Sequence, residues 1–546
     1  MAPRIILLSG AISAGKTTLA SKLAARYQIG HIKTRALLEQ RFPKQKTRKG
    51  LQLAGRRLDR ETHERWVADD VFAVAAESDA EALVVDSVRT LGQVDAFREA
   101  FGARVVHVHL TATDEILDDR YSKREGPLKE FSSYREARRD LVERRVESLG
   151  AVADIRVDTG RSTPEDVLVR TAAHLGLYGR SYARLVDVLV GGQWGSEGKG
   201  HIASYLAPEY HFLVRVGGPN AGHKVFEPKG PFTFHQLPSG SRNSEARLLI
   251  APGAVLRSQS LIDEINRAGI EHDRLSIDPK AMIIADEDML FEDQTLKKWI
   301  ASTAQGVGAA SARRVMRGAL GPGLVKPTSL SAVTLAGDVA ELKPWVRDTQ
   351  EILDDAFRQR AMVFIEGTQG TGLSLLHGDY PHVTSRDTSV AGCLSEAGIS
   401  ASRLRKIVMV VRSYPIRVQD PDAEGHTSGP MGRGITWAEI SRRSGVPLEE
   451  LQKHEVTSTT GRKRRVAEFN WSLLRSSASI NGPTDIALSF ADYVSIRNRD
   501  AQRFEQLTPE TIQFVEEIER VTAAPVSLIS TRFDRPYRSI IDRRAW

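Results

Sequence analysis

The chain has 546 residues, too many for one simple domain of roughly 100–200 residues, and its 41% hydrophobic and 27% charged content allows large buried cores. A formal net charge of +7 suits anionic ligands such as nucleotides and would also fit nucleic acid; the basic residues are mostly scattered among acids, and composition alone does not decide between them, while the expectation is no nucleic-acid partner. The single cysteine, Cys393, excludes an intrachain disulfide framework and a thiolate metal site, and no apolar run approaches a signal peptide core or a membrane span, so the expectation is a cytoplasmic protein without a membrane partner.

From Arg4 to about Gly176, short apolar runs alternate with amphipathic charged stretches. Residues 4–9, 82–86 and 104–110 read as buried strands, and residues 17–27, 57–77 and 133–149 as helices. Strands alternating with helices predict an α/β domain with a parallel sheet, over residues 1–178. Gly10-Ala-Ile-Ser-Ala-Gly-Lys-Thr17 follows the first strand and opens the first helix, the context a P-loop requires. Gly10 and Gly15 let backbone N–H groups wrap phosphate oxygens, Lys16 reaches the terminal phosphates, and the Thr17 hydroxyl holds Mg²⁺. Asp86 ends the neighbouring strand and is a candidate water-mediated Mg²⁺ ligand.

The stretch Val85-Asp-Ser-Val-Arg-Thr90 resembles the small nucleoside- and nucleotide-kinase group of P-loop proteins. That resemblance implies an arginine-bearing lid, for which Arg120 and Arg124 in Asp119-Arg-Tyr-Ser-Lys-Arg124 are candidates; a solvated basic helix is the alternative.

Residues 176–184 break the pattern and read as a linker. A second α/β domain, residues 185–546, opens with a strand at 185–190 and a second glycine-rich turn. In that turn the spacing before Gly198-Lys199 is one residue too long for a P-loop, and Gly200 stands where Ser or Thr belongs. Backbone donors and a lysine still make it an anion-binding loop at a helix start.

Six segments in order carry a more specific resemblance: Gly191-Gly-Gln-Trp-Gly-Ser-Glu-Gly-Lys-Gly200, Val214-Arg-Val-Gly-Gly-Pro-Asn-Ala-Gly-His223, Ile365-Glu-Gly-Thr-Gln-Gly-Thr371, Asp379-Tyr-Pro-His-Val-Thr-Ser385, Val411-Arg-Ser-Tyr-Pro-Ile-Arg-Val418 and Thr459-Thr-Gly-Arg-Lys-Arg-Arg465. Together they resemble the adenylosuccinate synthetase family over some 350 residues. The resemblance implies a larger α/β domain with a central, mostly parallel sheet, and a homodimer. It also implies a two-step ligation. The purine 6-oxygen of a nucleoside monophosphate attacks the γ-phosphate of a nucleoside triphosphate, and the amine of L-aspartate then displaces phosphate at C6, with Mg²⁺ as cofactor.

By the same resemblance His223 is the general acid at the 6-oxygen. Gly195, Gly198, Lys199, Gly200 and Asp492 belong to the triphosphate site, and the Gly222 carbonyl and residue 196 ligate Mg²⁺. Asn220, Thr303, Gln369, Thr384, Val418 and Arg462 line the purine nucleotide site, and Arg317 is donated across a dimer interface. Thr459, Thr460, Arg462 and Arg464 bind aspartate, arginines being fork-shaped donors that match carboxylates. Without the resemblance, 462–465 reads as a basic surface patch or localisation signal.

Ser196 departs from the family, which carries aspartate there as base and Mg²⁺ ligand. A hydroxyl is a poor base, and loss of a positioned base costs roughly 10²–10⁴-fold. Serine at this position resembles a phage-type branch of the family, the 2-aminoadenylosuccinate synthetases, which implies dGMP as substrate and a base role taken over by the triphosphate. Phe490 stands where lysine is expected beside Asp492, and Arg532 and Phe533 where glycine and proline are usual, which opens ATP or dATP beside GTP as co-substrate. Gln305 and Ser204 replace the usual arginine and aspartate. An ordinary IMP-using synthetase and a nucleotide sensor without turnover stand as alternatives.

Overall fold

The computed structural model describes residues 3–45, 48–123, 134–137, 141–178, 183–227, 230–316, 333–420, 426–457, 461–532, 534 and 539–545. The chain forms two compact units, Met1–Tyr178 and Gly179–Trp546.

The first unit is built on a five-stranded parallel sheet in the order Gly30–Lys33, Ala82–Asp86, Arg4–Gly10, Val105–Thr111, Ile155–Asp158. The central strand is buried on both faces. Ile6 and Leu8 pack into one core with Val84, Val108 and Leu110, and Ile5 and Leu7 into the other with Leu83 and Val85. A doubly covered parallel strand therefore reads as a continuous apolar run, as residues 5–8 do. The helix Lys16–Tyr27 follows Gly15, which holds φ +95° as its N-cap.

The single helix expected over residues 57–77 is instead two, Arg48–Glu61 and Trp66–Ala76. His63 and Glu64 break it with φ of 50° and 66°, and the Thr62 hydroxyl accepts from Trp66 N at 3.2 Å to start the second helix. Amphipathic periodicity runs through such a turn unbroken, so pattern alone hides it. Over residues 133–149 the described helices are Tyr134–Ala137 and Leu141–Ser148, and residues 138–140 lie outside the described residues.

The second unit holds a nine-stranded sheet in the order Leu275–Ile277, Arg247–Ile250, Phe212–Arg215, Val363–Glu366, Val186–Gly191, Leu404–Arg412, Asp485–Ser489, Val526–Ser530, Ile540–Asp542. All of these pair in parallel except the last strand. Val186, Val188 and Val190 face one core, with helices Thr349–Arg358, Val390–Ala397, Trp471–Asn481 and Pro509–Thr522. Leu189 faces the other, with Lys199–Leu206 and Ser258–Ala268.

Register places the functional end. Glu366 aligns with Arg215 and with Leu189, Val410 with Gly191, and Arg412 with Ser489. The charged residues Arg215, Glu366 and Arg412 thus close three apolar strands at the same carboxyl edge, where open parallel sheets bind ligands. No helix among the described residues is long and apolar enough to cross a membrane.

Candidate active site

At the carboxyl edge of the large sheet lies a cleft of about 620 Å³. Its floor is the loop after the strand Val186–Gly191. Gly195, Ser196 and Gly198 take φ of 90°, 53° and 91°, which turns the chain sharply and starts the helix at Lys199. The loop is held from inside by Glu197, which is fully buried. Its Oε1 accepts from Gln193 N at 3.1 Å and Gly195 N at 2.8 Å, and its Oε2 pairs with Lys199 Nζ. Gly200 is required by packing, since a Cβ there would stand 2.7 Å from His223 Cβ. This explains the glycine at a position where a P-loop carries a hydroxyl.

His223 begins the strand His223–Glu227 and is 9% exposed. Its Nδ1 lies 2.5 Å from Glu366 Oε1, so that nitrogen carries the proton and Nε2 is left for a ligand. Arg215 Nη1 donates to the same carboxylate oxygen at 2.6 Å, and Ser239 N to Oε2 at 2.7 Å. Burial, then Arg215, pushes the His223 pKa down to about 4 against the pull of Glu366, so the resting ring is neutral. Burial alone would raise Glu366; Arg215, His223 and Ser239 outweigh it and hold the carboxyl down to about 2.

Ser196 is exposed into the cleft. Arg464 Nη2 donates to its hydroxyl at 3.3 Å, and Arg412 Nη1 to its carbonyl at 3.2 Å. Both arginines share Glu455, with Arg412 Nη2 at 2.8 Å and Arg464 Nη1 at 3.0 Å, and Tyr493 adds its hydroxyl at 2.8 Å. Against the raising effect of burial, these partners hold Glu455 down to about 2.

A third wall carries the amide and hydroxyl groups. Gln369 Nε2 donates to Asn220 Oδ1 at 3.0 Å, and Asn220 Nδ2 to Thr384 Oγ1 at 3.4 Å. Thr303, Val418 and Gly222 also line the cleft. Arg462 is not among its lining residues; its guanidinium reaches the carbonyls of Ala301 and Gln419. At the far end Asp492 is buried, with Arg499 Nε at 3.1 Å from Oδ2 and no partner on Oδ1 among the described residues. Burial pushes its pKa up to about 7, against Arg499.

The structure therefore brings Ser196, Lys199, Asn220, Gly222, His223, Gln369, Thr384, Arg464 and Asp492 to one cleft. Gln305 and Ser204 do not line it. Arg317, Thr459, Thr460 and Phe533 lie outside the described residues. Sequence reasoning assigned no role to Arg215, Glu366, Glu197, Arg412 or Glu455. The available signal for three of them was a charged residue closing an apolar strand.

In the first unit, Lys16 Nζ donates to the carbonyls of Gly10 and Ala11 at 2.7 and 2.8 Å, so the lysine folds back over its own loop. Leu8 is level with Asp86, which therefore ends beside that loop, and His31 Nε2 stands 3.7 Å from Asp86 Oδ2. Arg120 is bound to Thr159, through its hydroxyl at 2.9 Å and its carbonyl at 2.7 Å. Arg124 lies outside the described residues.

Known proteins match both units. A family model described as adenylosuccinate synthetase matches residues 188–331 and 332–499, and one described as an AAA domain matches residues 6–140. The adenylosuccinate synthetase of Pyrococcus sp. (strain ST700) is 33% identical over 369 residues, covering 65% of this chain and 98% of that protein. The Methanocaldococcus jannaschii enzyme of the same name is 32% identical over 351 residues, covering 63% and 93%. Among solved structures, the Plasmodium falciparum adenylosuccinate synthetase shares the fold at TM-score 0.55 and 21% identity, over 66% of this chain and all of that one. A cyanophage S-2L succinoaminodeoxyadenylate synthetase, bound to dGMP and to dATP as an energy donor, aligns at TM-score 0.53 and 26% identity, over 66% of this chain and 96% of that one.

Proposed function

Because the chain belongs to the adenylosuccinate synthetase family and is a C–N ligase, we propose that its cleft joins L-aspartate to C6 of a purine nucleoside monophosphate, with dGMP favoured. The observation that carries the substrate choice is Ser196. Where the family reading places a carboxylate against purine N1, this cleft offers a hydroxyl already engaged by Arg464. A hydroxyl leaves room beside C2 for a 2-amino group and adds no base, and the resemblance to the dGMP-bound cyanophage enzyme supports the same choice.

In this reading Asn220, Thr303, Gln369, Thr384, Val418 and Arg462 hold the monophosphate, with Arg317 of a second copy completing the site in a homodimer. The 6-oxygen attacks the γ-phosphate and the nucleoside diphosphate leaves. The aspartate amine then adds at C6 and phosphate departs. His223 serves the 6-oxygen through Nε2. Its resting pKa near 4 means that anionic ligands must raise it before it can donate a proton. Lys199 and the N–H groups of Gly198 and Gly200, in the loop that Gly195 turns, hold the phosphates. Aspartate is bound by Thr459, Thr460, Arg462 and Arg464.

Ser196 and Gly222 both line the cleft, and the Ser196 hydroxyl and Gly222 carbonyl are the oxygen donors that would hold Mg²⁺ together with phosphate oxygens. It supplies charge neutralisation on the transferred phosphoryl group. Phe490, where the family resemblance expects lysine, favours ATP or dATP over GTP as energy donor. The first unit, over its P-loop residues Gly10, Gly15, Lys16 and Thr17 with Asp86, is a nucleotide kinase acting on a deoxynucleoside monophosphate, with Arg120 and Arg124 as its lid.

The test is a matrix of IMP, GMP and dGMP against ATP, dATP and GTP with aspartate, read by mass spectrometry of succino-nucleotides. The expected product is 2-amino-succino-deoxyadenylate from dGMP. Robust turnover of IMP with GTP, and none of dGMP, would sink the proposal.

A further inference from the structure

We infer that Arg412 is a positioning residue, a single buried guanidinium that sets the aspartate side and the triphosphate side of the cleft together. The inference rests on the ligase reading above.

Arg412 ends the strand Leu404–Arg412 and is fully buried. Its backbone is locked to the phosphate loop in both directions. Arg412 N donates to Gln193 Oε1 at 3.0 Å, and Gln193 Nε2 donates to the Arg412 carbonyl at 3.1 Å. The guanidinium then spans three parts of the cleft. Nη1 holds the Ser196 carbonyl, Nη2 holds Glu455, and Cζ lies over the Phe490 ring, 4.1 Å from its centre. Glu455 in turn orients Arg464, and Phe490 lines the end of the cleft that carries Asp492.

Only arginine performs all three contacts. A lysine ammonium is a compact point charge and cannot bridge two acceptors while presenting a flat face to an aromatic ring. The charge balance points the same way. Arg412 and Arg464 share the one carboxylate of Glu455, so this corner keeps an excess positive charge, which a carboxylate of bound aspartate neutralises. Any shift of Arg412 therefore moves Arg464 through Glu455, and moves Phe490 through the cation–ring contact. The monophosphate wall of Asn220, Gln369 and Thr384 makes none of these contacts.

The experiment is steady-state succino-nucleotide formation by the full chain carrying Arg412→Lys, with a thermal melt as fold control. The KM for aspartate is expected to rise roughly tenfold and that for the triphosphate roughly threefold, with the monophosphate KM within about twofold. A general loosening of the fold would move all three together, and that result, or an unchanged aspartate KM, overturns the inference. Should Arg412→Lys fail to fold, Tyr493→Phe removes one donor from Glu455. It is expected to raise the aspartate KM roughly threefold with the monophosphate KM unmoved, and no change in the aspartate KM overturns the inference. Absence of any product from the unsubstituted chain would sink the ligase reading and this inference with it. Product with an unchanged aspartate KM sinks the inference alone.

Discussion

Arg464 donates to the Ser196 hydroxyl across 3.3 Å, so the loop proposed to bind aspartate and the loop proposed to bind phosphate are joined by a hydrogen bond. Ser196 sits at φ +53°, a region that aspartate adopts more readily than most residues, so Ser196→Asp leaves the backbone in place. The new carboxylate restores a base beside N1 and neutralises the excess charge of Arg412 and Arg464. The variant is expected to gain IMP turnover and to lose roughly tenfold or more of its kcat/KM for dGMP, with a raised aspartate KM. Parallel assays with both monophosphates check it, and an unaltered dGMP-to-IMP ratio would count against Ser196 as the substrate switch.

Glu366 governs the tautomer of His223 and also carries Arg215. Glu366→Gln keeps the shape but no longer fixes a proton on Nδ1, and it leaves a buried guanidinium without its counter-charge. A fall in kcat of roughly 10²-fold or more is expected, with little change in the KM for the triphosphate. Loss of the buried pair's charge is expected to cost about 3–5 kcal/mol of stability. Kinetics and chemical denaturation separate the two effects, and a variant with normal kcat would remove Glu366 from the mechanism.

The chemistry of this cleft was more legible in the sequence than its scaffolding. Gly191–Gly200 and Gly10–Thr17 are contiguous motifs whose function lies in backbone N–H groups, so local sequence carries them. Strands 82–86 and 4–9 were legible for a related reason, because burial on both faces writes an unbroken apolar run. Arg215, Glu366, Arg412 and Glu455 are different. Arg215 and Glu366 lie 151 positions apart and are brought level by the sheet register, and Glu455, at the end of the helix Leu448–His454, lies 43 positions from Arg412. The two-helix break at His63 and Glu64 was hidden because left-handed backbone at non-glycine residues leaves no mark on an amphipathic pattern.

Stability of the first unit should fall as the pH drops below about 6.5. His107 and His109 are buried side by side on Ser9, with Oγ 2.6 Å from His107 Nε2 and 2.8 Å from His109 Nδ1. Burial first pushes both down to about 4, helped by His109 and then Arg98 at His107 and by Lys16 and then Arg156 at His109. A lowered folded pKa means the unfolded chain binds more protons between about pH 6.5 and 4. The stability these rings contribute is thus full above 6.5 and is lost as pH falls through that window. The slope is at most about 1.4 kcal/mol per pH unit for each ring. Hydrogen exchange of the Val105–Thr111 amides in the full chain, at about pH 7, 6 and 5 and corrected for intrinsic rates, should show protection falling with acid. Protection that is flat across this range would contradict the burial of neutral rings.

Lys16 bridges the carbonyls of Gly10 and Ala11 at 2.7 and 2.8 Å, and phosphate oxygens would take over that ammonium on nucleotide binding. Lys16→Ala removes the cation but neither glycine nor the Thr17 hydroxyl, so the loop keeps its backbone cradle. Phosphoryl transfer from ATP to deoxynucleoside monophosphates, measured without aspartate so that the ligase is silent, is expected to fall by roughly 10²-fold or more. Ligase turnover with aspartate present is expected to stay within about twofold, because Lys199, which lines the cleft of the second unit, is the lysine proposed to hold phosphate there. Transfer that survives Lys16→Ala at full rate would mean that this P-loop does not hold the donor nucleotide. A simultaneous loss of ligase turnover would instead show that the second unit depends on a nucleotide bound by the first.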